Sequence, residues 1–386
     1  MERFCPIEKC SGCGACMNAC PRKAISMQEE QDGFLYPFFD SEKCVDCNAC
    51  VNVCPAQKEL QGNVPNDVFL AWCNNEKLRE KSSSGGIFAQ IAAKILEKGG
   101  IVFGAAYNEK MRVAHKYIES VEELPLLQSS KYVQSEIGNA YKEAQEFLKK
   151  GRHVYFVGTP CQIAGLNSFL KKNYDNLLTS DLICHGAPSN ALLNKQIDDI
   201  QQKYKNRIID FNFRSKARFG QGYDIEVSFE NGGKKFFNAE LVPYFYGFWR
   251  NISLRESCYH CHYSSERRVS DITLGDYWLA KKIHRVKTSK GTSLILVNTL
   301  KGKKILDECK SSVALIPDNL DRVKKIQAHL SRPVKANSLH ASFVKDFGEK
   351  DWDYLCQRYF RAPLRYRCKM RLRNILKTLT LYKLWK

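Results

Sequence analysis

Two cysteine-rich runs near the N-terminus constrain this chain more than any other feature. Each reads Cys-x2-Cys-x2-Cys-x3-Cys-Pro, and the runs begin at Cys10 and Cys44. Residues 1–60 hold nine of the 17 cysteines. The N-terminal residues lack the apolar segment of an export signal, so we expect a reducing compartment. There, regularly spaced cysteines indicate metal ligands rather than disulfides.

The spacing of each run is that of a two-cluster ferredoxin, in which three cysteines of one run and the last of the other hold each [4Fe-4S] cluster. Zinc sites use paired CxxC motifs with four ligands in all, which fits this pattern poorly. Cys5 falls outside the spacing and is interpreted as incidental. The predicted ligand sets are Cys10, Cys13, Cys16 and Cys54 for one cluster, and Cys44, Cys47, Cys50 and Cys20 for the other.

The charge of +19 has two interpretations. It is a footprint for nucleic acid or an anionic membrane, or it offsets anionic cofactors that the count omits. Three clusters and a flavin dinucleotide would remove roughly 8–11 charges. No nucleic-acid motif is visible, which favours the cofactors and excludes nucleic acid as the expected partner. No apolar run reaches the ~18 residues of a membrane span, so we predict a cytoplasmic protein.

Beyond the linker "QGNVPND", helix and strand patterns alternate, and strands and hairpins follow from about residue 207. Helical spacing after "SSSGG", a helix with Ser135 as its N-cap and the strand "HVYFV" indicate an α/β sheet. Asn231-Gly232 marks a hairpin. The predicted fold class is multidomain α+β and α/β, with a small bacterial-type ferredoxin domain, an α/β flavin-binding domain and a strand-rich C-terminal portion. The predicted boundaries are 1–60, 68–175, 176–340 and, for a basic tail, 341–386.

Eight cysteines remain outside the ferredoxin unit and its flank. Cys161 follows Thr159-Pro160, a natural helix start, where the helix dipole favours a thiolate. Cys184 ends a strand, and Cys258 and Cys261 form a CxxC motif. These four suffice for a third [4Fe-4S] cluster, with a structural zinc site or a CxxC redox pair beside a catalytic cysteine as alternatives. The others are interpreted as packing residues: Cys73, Cys309, Cys356 and Cys368.

Several motifs occur in a characteristic order: "SSSGG", "KYVQS", "GTPCQIAG", "DLICHG", "FRSKARFG", "CYHC", "SDITLGDYW" and "KGTSLILVNT". In this order they resemble the beta-subunit family of coenzyme F420 hydrogenases and dehydrogenases, from about residue 68 to 300. The resemblance implies an FAD beside a [4Fe-4S] cluster, with a substrate pocket over the flavin. It also implies that Cys161, Cys184, Cys258 and Cys261 hold that third cluster.

The resemblance further implies a set of flavin-side residues. The Ser-Gly-Gly segment precedes a helix, where backbone N–H groups can cradle a pyrophosphate, although such segments are also common in turns and no GxGxxG is present. The implied cofactor-binding residues are Ser83, Ser84, Gly85, Gly86, Lys131, Tyr132, Gln134, Ser135, Thr159, Gln162, Lys290, Gly291, Thr292 and Ser293.

Three residues are candidates for substrate contact or proton delivery: His185, Arg214 and Lys216. His185 follows Cys184 and is equally suited to a hydrogen bond with a cluster sulfur. Arg214 is suited to a phosphate or carboxylate of the ligand. Asp271 and Asp276 are interpreted as anchors of the fold rather than as acids.

We therefore predict an FAD- and [4Fe-4S]-dependent oxidoreductase that passes electrons between a ferredoxin-type or other redox donor protein and a small-molecule substrate, either a deazaflavin coenzyme or another compound. The alternative is a non-catalytic electron-relay subunit; an open, substrate-sized pocket favours the enzyme. The last 26 residues contain nine basic residues and no acidic one, with Leu372, Ile375, Leu376, Leu379 and Tyr382 at helical spacing. This tail is a candidate for peripheral membrane-surface association. A homo-oligomer is a further candidate assembly.

Overall fold

The computed structural model describes residues 4–58, 62–220, 222 and 224–384. The strands are β1 (Ile25–Glu29), β2 (Leu35–Phe39), β3 (Asp67–Cys73), β4 (Ile101–Tyr107), β5 (Val113–Ile118), β6 (Val154–Val157), β7 (Leu177–Leu182), β8 (Ile208–Ser215), β9 (Asp224–Phe229), β10 (Lys234–Asn238), β11 (Ile272–Asp276), β12 (Ser293–Val297) and β13 (Val313–Asp318). The α-helices are α1 (Ala15–Ala19), α2 (Ala49–Asn52), α3 (Glu76–Glu80), α4 (Ile87–Glu97), α5 (Leu124–Leu127), α6 (Ala140–Lys149), α7 (Pro160–Leu170), α8 (Asn190–Tyr204), α9 (Pro243–Trp249), α10 (Glu256–Tyr259), α11 (Ala280–His284), α12 (Leu300–Glu308), α13 (Leu320–Ile326), α14 (His340–Phe347), α15 (Trp352–Leu355) and α16 (Leu364–Leu384). Short 3-10 turns lie at Pro55–Gln57, Val121–Glu123, Ala239–Leu241, Lys310–Ser312 and Ala328–Leu330, and a π-helical turn lies at Cys356–Phe360.

The N-terminal unit is ferredoxin-like, as predicted. Strands β1 and β2 form an antiparallel pair, and α1 and α2 each begin inside one cysteine run. Its small core contains Cys5, Phe34 and Tyr36 together with cysteines of both runs. So little apolar area stabilises a fold weakly, which is why such units depend on metal or on packing against a larger body.

The body of the protein is built on an eight-stranded mixed sheet in the order β13-β3-β12-β11-β7-β6-β4-β5. Its centre is parallel, because β4, β6, β7 and β11 run the same way. Antiparallel strands complete both edges. The predicted regions 68–175 and 176–340 both contribute strands to this sheet. The predicted α/β architecture is confirmed at this level.

Helices cover both faces of the large sheet. On one face, apolar residues of α4 and α12 pack against alternate strand residues, among them Val102 and Ile295. On the other face, α6 and α7 pack against Phe103 and Phe156. Two-sided burial explains why the central strands read as nearly continuous apolar runs. The helix α6 begins at Ala140 with Asn139 as its N-cap, so the predicted N-cap role of Ser135 is wrong.

A smaller antiparallel sheet in the order β10-β9-β8 follows the α/β body. Asn231-Gly232 lies between β9 and β10, with Gly232 at φ +81°, so the predicted hairpin is confirmed. This sheet packs with α8, α9 and α14 around an aromatic core that includes Phe213 and Phe245. The C-terminal portion was predicted to be rich in strands. Strands β8–β13 agree with this prediction, but most of the described chain after β13 is helical.

The C-terminal helix α16 docks on the turn at Ala239–Leu241. Arg373 pairs with Glu240 at 2.7 Å, Tyr366 also bonds Glu240, and Met370 is buried. Cys368 is exposed on this helix, so its predicted packing role is wrong. In the described part of the chain, no helix combines the length and apolar character that crossing a bilayer requires.

Candidate metal centres and active site

The cysteine runs form two cavities, each shared between the runs. The first is lined by Cys10, Cys13, Cys16 and Cys54, and the second by Cys44, Cys47, Cys50 and Cys20, so the structure brings together both predicted sets. Counting the space that opens to solvent, the two cavities measure about 380 Å³ and 370 Å³. In each cavity, three cysteines come from one run and the fourth comes from the other.

Left-handed backbone shapes both runs in the same way. The equivalent residues Gly12 and Asp46 have φ of +64° and +50°, and Gly14 and Asn48 have φ of +72° and +55°. Glycine, asparagine and aspartate are the residues that tolerate this region at low cost. Alternating right- and left-handed residues turn successive N–H groups toward one point, which is the geometry of anion and iron–sulfur nests.

Cys5 lies beside the first cavity, although the cysteine spacing predicted no role for it there. Its side chain is buried and hydrogen-bonds with those of Cys10 and Cys54, which raises the pKa of the Cys5 thiol. The same bond from Cys5, with the nearby Arg255 charge as a smaller cause, lowers the pKa of Cys10 to about 6. The contact with Cys5 therefore favours thiolate at a predicted ligand.

A third cavity is lined by the four remaining predicted ligands: Cys161, Cys184, Cys258 and Cys261. They come from the first turn of α7, the end of β7 and the region of α10. Thr159 and Gln162 form a capping box at the start of α7, and the Thr159 hydroxyl lies 3.1 Å from the Cys161 sulfur. The third cavity encloses about 800 Å³, counting the space that opens to solvent, roughly twice either ferredoxin cavity.

The expectation that the helix dipole favours a Cys161 thiolate is wrong for the free side chain. Burial raises the pKa of Cys161, and it raises the pKa of Cys258 to about 12. Desolvation of a buried charge outweighs the dipole of one helix turn. A bound metal deprotonates its thiols outright, so the raised pKa of these thiols is compatible with a role as metal ligands.

The cysteine sets do not suit a single metal ion. Over residues 4–58, 62–220, 222 and 224–384, no three His, Cys, Asp or Glu side chains are close enough together to share one ion. A zinc site needs four donors about 2.3 Å from one point. Four cysteines spread around a cavity fit a cube with one ligand at each corner. The residues present therefore fit a cluster better than zinc.

The first and third cavities are neighbours. Gly165 of α7 lies against Cys13, since a Cβ atom on it would be 3.1 Å from the Cys13 sulfur. Cys161 lies one helical turn before Gly165 on the same helix. Glu8, Lys9 and Ser11 of the ferredoxin unit also line the third cavity. The ferredoxin unit thus forms part of the wall of this site.

His185 lies in the wall of the third cavity, with both ring nitrogens engaged. One nitrogen is 3.0 Å from His329 and the other is 2.7 Å from the Asn251 side-chain oxygen. Burial, helped by His329, lowers the pKa of His185 to about 4, so the ring is neutral at neutral pH. His329 was not found from the sequence, because 144 residues separate it from His185.

Arg214 and Lys216 lie away from the cavity lining and hold loops together. Arg214 is buried and pairs with Asp276 at 2.8 Å. The Lys216 ammonium donates to the carbonyl oxygens of Arg79, Ser84 and Lys290 at 2.7–2.8 Å. Burial, with Arg79 and Arg214 nearby, lowers the pKa of Lys216 to about 7, whereas the three carbonyls favour the charged form.

Both aspartates interpreted as anchors behave as such. Asp271 accepts hydrogen bonds from the backbone N–H of Thr179 at 2.8 Å and from the Thr299 hydroxyl at 2.6 Å. It joins the loops that precede β11 and follow β12. Asp276 holds Arg214 in place.

One group of the implied flavin-side residues packs two loops against each other. The Ser84 hydroxyl donates to the Thr292 carbonyl at 2.8 Å, and the Gly85 N–H donates to Ser293 Oγ at 2.9 Å. A Cβ atom on Gly291 would lie 2.3 Å from the Ser84 carbonyl oxygen. Ser83 and Gly86 flank these contacts, and Lys290 pairs with Glu76 at the surface.

The second group lies nearer the third cavity. Gln134 and Thr159 line it, and Gln134 bonds the Ser11 carbonyl at 2.7 Å. Gln162 donates to Ser135, whose hydroxyl also contacts His115. The remaining members are Lys131, which bonds the Gln128 carbonyl, and Tyr132, whose hydroxyl accepts from Arg214.

Arg255 is the main site residue that the sequence analysis missed. It is buried, lines the third cavity and reaches the carbonyl oxygen of Cys10 at 2.8 Å. Its place three residues before Cys258 was the only available signal, and position in a motif does not reveal burial.

Residues 151–322 match a family model that describes the C-terminal part of the beta chain of coenzyme F420 hydrogenase/dehydrogenase, and residues 9–58 match a 4Fe-4S dicluster domain. No curated protein is similar enough in sequence to count as a relative. Among solved structures, one similar chain belongs to a xenon derivative of the F420-reducing [NiFe] hydrogenase complex from Methanosarcina barkeri. The identity is 16%, the match covers 70% of this chain and 89% of the other, and the TM-score is 0.47.

Proposed function

We propose that this chain is a member of the coenzyme F420 hydrogenase/dehydrogenase beta-subunit family and an iron–sulfur flavoprotein oxidoreductase, with a third cluster and a substrate site in the third cavity. The observation that carries this proposal is the grouping of four cysteines around one cavity that adjoins the first ferredoxin cavity. Gln134 and Thr159, which the resemblance places beside a flavin, line the same cavity.

The four cysteines of the third cavity would hold the third cluster. They belong to three separate elements, and all four are half-buried in the wall of that cavity. Cys13 and Cys161 lie on either side of the contact between α1 and α7, so the first and third sites adjoin. This arrangement gives electrons a continuous route from the ferredoxin unit to the third cavity.

FAD is the proposed organic cofactor. When bound, it supplies the conversion between single-electron carriers and two-electron transfer to a substrate. The chain's own contribution is positional. Gln134 and Thr159 present polar groups to the cavity, and the loops around Ser84 and Gly291 form a backbone-rich surface at the edge of the sheet. Arg79, Arg214 and Lys216 donate hydrogen bonds to carbonyl oxygens of those loops, and their charges would favour an anionic group there.

His185 is the proposed proton-handling residue. Its ring is neutral and borders the cavity, and His329 is 3.0 Å behind it. A pair of bonded neutral imidazoles can accept a proton on one ring and release one from the other. Arg214 and Lys216 are assigned the role of holding the loops that shape the cofactor surface.

The proposed partners are a ferredoxin-type or other redox donor protein and a small molecule, either a deazaflavin coenzyme or another compound. The exposed ferredoxin cavity that contains Cys47 is the candidate entry point for electrons. A relay subunit whose partner performs the chemistry is the second candidate function. A homo-oligomer and a membrane-surface contact through the tail remain proposals for the assembly.

The test separates the enzyme from the relay. Protein purified without oxygen is supplied with FAD, reduced with a low-potential donor and mixed with candidate acceptors, the deazaflavin first, while flavin absorbance is followed. We expect the donor to reduce the flavin and a bound acceptor to reoxidise it without a second protein. The variant His185→Gln should keep its flavin and iron but reoxidise at least tenfold more slowly. The exposed His153 supplies the control His153→Gln, which should behave as wild type.

Two results would contradict the enzyme. Wild-type protein that carries no flavin and binds none when it is supplied leaves the relay as the function. The relay would also be the function if the flavin is reduced but only an added redox protein, and no small molecule, reoxidises it.

A further inference from the structure

Arg255 is a buried cation that connects the ferredoxin unit to the body of the protein. Its exposed fraction is 2%. The guanidinium donates to the carbonyl oxygens of Cys10 at 2.8 Å and Leu35 at 3.0 Å, and to the side-chain oxygen of Gln134 at 3.0 Å. It also lies over the ring of Tyr36, 4.1 Å from the centroid. All these partners are neutral.

A second buried arginine shows what is unusual about Arg255. Arg268 is equally buried, but it forms an ion pair with Asp181 at 3.0 Å. Within the described residues, no carboxylate forms an ion pair with Arg255. A buried cation without a countercharge is strongly disfavoured, so an anion is expected close to Arg255.

The anionic groups available to Arg255 belong to two cysteine sets. Its guanidinium is 4.0 Å from the Cys10 sulfur, in the first cavity. The same side chain lines the third cavity, and its carbonyl oxygen accepts from the N–H of Cys258. The second cavity, which contains Cys44 and Cys47, does not include Arg255 in its lining.

The chain makes room for this side chain. Gly12 stands beside it with φ +64°, and a Cβ atom there would lie 2.9 Å from Nη1 of Arg255.

We propose that Arg255 is a countercharge shared by the cluster of the first cavity and the cluster of the third, and that it raises the midpoint potentials of both. This rests on the proposed function for the third cluster, but not for the first. Each cluster takes up one electron from the redox donor protein, which adds one negative charge to it. A fixed positive charge beside both clusters stabilises their reduced forms. The cluster of the second cavity is outside this contact and is left at its own potential.

The test is a potentiometric titration followed by EPR, in protein purified without oxygen and checked for iron and sulfide. The variants Arg255→Met and Arg255→Gln remove the charge. We expect the midpoint potentials of two clusters to move downward together, while that of the remaining cluster stays within error of wild type. Arg255→Lys keeps the charge and should restore most of the shift. Arg267→Met, at an exposed neighbouring position, is the control for arginine loss and should change none of the potentials.

The outcomes are distinct. Unchanged potentials in both neutral variants with a full complement of iron overturn the proposal. The same downward shift in Arg255→Lys as in Arg255→Gln also overturns it, because the hydrogen-bond geometry rather than the charge would then be responsible. If Arg255→Met does not fold, Arg255→Gln decides, since its amide can still donate to a carbonyl. Wild-type protein with two clusters only contradicts the proposed third site, and a shift of one of those two still supports the role of Arg255.

Discussion

His115 is a buried histidine whose surroundings hold it in the neutral form. One ring nitrogen is 2.9 Å from the Val157 carbonyl oxygen and the other is 2.9 Å from the Ser135 hydroxyl. The carbonyl can only accept, so the nitrogen facing it carries the hydrogen and the other nitrogen accepts from Ser135. Burial lowers the pKa of His115 to about 4. The ring stacks on Phe156 of the core, so the charge state of His115 affects the packing there.

We predict that His115 makes the protein less stable in acid. Above pH 6.5 the ring is neutral in both states, and between pH 6.5 and 4 only the unfolded chain takes up the proton, so the free energy of unfolding falls. At pH 5.5 the loss is about 1 kcal/mol. Thermal unfolding followed by circular dichroism at pH 7.5 and 5.5 should show a smaller drop in His115→Gln than in wild type. An equal drop in both, with His153→Gln as the exposed control, would assign the acid sensitivity to other groups.

At the scale of elements, glycines allow the loops of the implied flavin side to approach closely. Gly291 has φ +91° and faces the Ser84 carbonyl oxygen, whereas Gly232 in the hairpin has φ +81° and open space around it. At both positions, any residue other than glycine would be strained by the left-handed backbone. Only at Gly291 would its Cβ atom also collide with a neighbouring atom.

This pair predicts two different costs for the same substitution. Gly232→Ala should lower the free energy of unfolding by about 1 kcal/mol, the cost of the left-handed backbone. Gly291→Ala should cost about 1–3 kcal/mol more, because its Cβ atom collides with a backbone oxygen. Thermal unfolding of both variants gives the comparison. Equal losses would mean that the loop of Gly291 can move aside freely.

The helix α16 presents an apolar row opposite the side that docks on the body. Leu372, Ile375 and Leu379 are each more than half exposed, while Met370 and Arg373 face the docking turn. Arginines and lysines occupy much of the rest of the helix, and no acidic residue interrupts it. Tyr382 of the predicted row lies where no side chain is described. A basic helix with an exposed apolar row can lie on an anionic bilayer without leaving its docking site.

We predict that the intact protein sediments with vesicles containing phosphatidylglycerol and less with neutral vesicles, since each basic residue near the surface contributes about 1 kcal/mol. The triple variant Leu372→Ser, Ile375→Ser, Leu379→Ser should lose most of this binding. Leu300→Ser, at an exposed leucine on α12, is the matched control. If the wild type sediments with neither kind of vesicle, membrane binding is contradicted, and the apolar row of α16 would instead bind a protein partner.

At the scale of the whole molecule, the three cavities form a connected series. The ferredoxin unit contains two of them, and its first cavity meets the third through α7 and Arg255. The contact also gives the small N-terminal unit an apolar and hydrogen-bonded support that its own core does not supply.

The series predicts the metal content. Protein purified without oxygen should hold about twelve iron and twelve sulfide per chain, four of each per cluster. Cys161→Ser should hold about eight, because the three sites use separate ligands. Cys309→Ser, at a cysteine buried in the main core, should keep about twelve. A wild-type content of about eight iron atoms per chain would contradict the third cluster. A content of about twelve iron atoms in Cys161→Ser, together with a loss of activity, would indicate that Cys161 is a catalytic thiol.

Local sequence determined much of this protein. The cysteine spacing of each run places three sulfurs within one tight loop, so the loop geometry follows from neighbours in the chain and from residues that accept left-handed backbone. The capping box at Thr159 and the hairpin at Asn231-Gly232 are local for the same reason. Alternation of helix and strand patterns predicted the α/β sheet, because buried strands and the helices between them have distinct periods.

The tertiary structure alone decided how distant segments meet. Cys161, Cys184 and Cys258 surround one cavity only because the end of β7 and the start of α7 lie side by side, with α10 packed across them. The pairing of His185 with His329 and the burial of Arg255 depend on contacts across 144 and 245 residues. Such contacts leave no periodic signal in the sequence, since they arise from how layers pack rather than from any local conformational preference. For that reason the sequence could identify ligands within each run, while the charge between the first and third cavities appeared only in the folded chain.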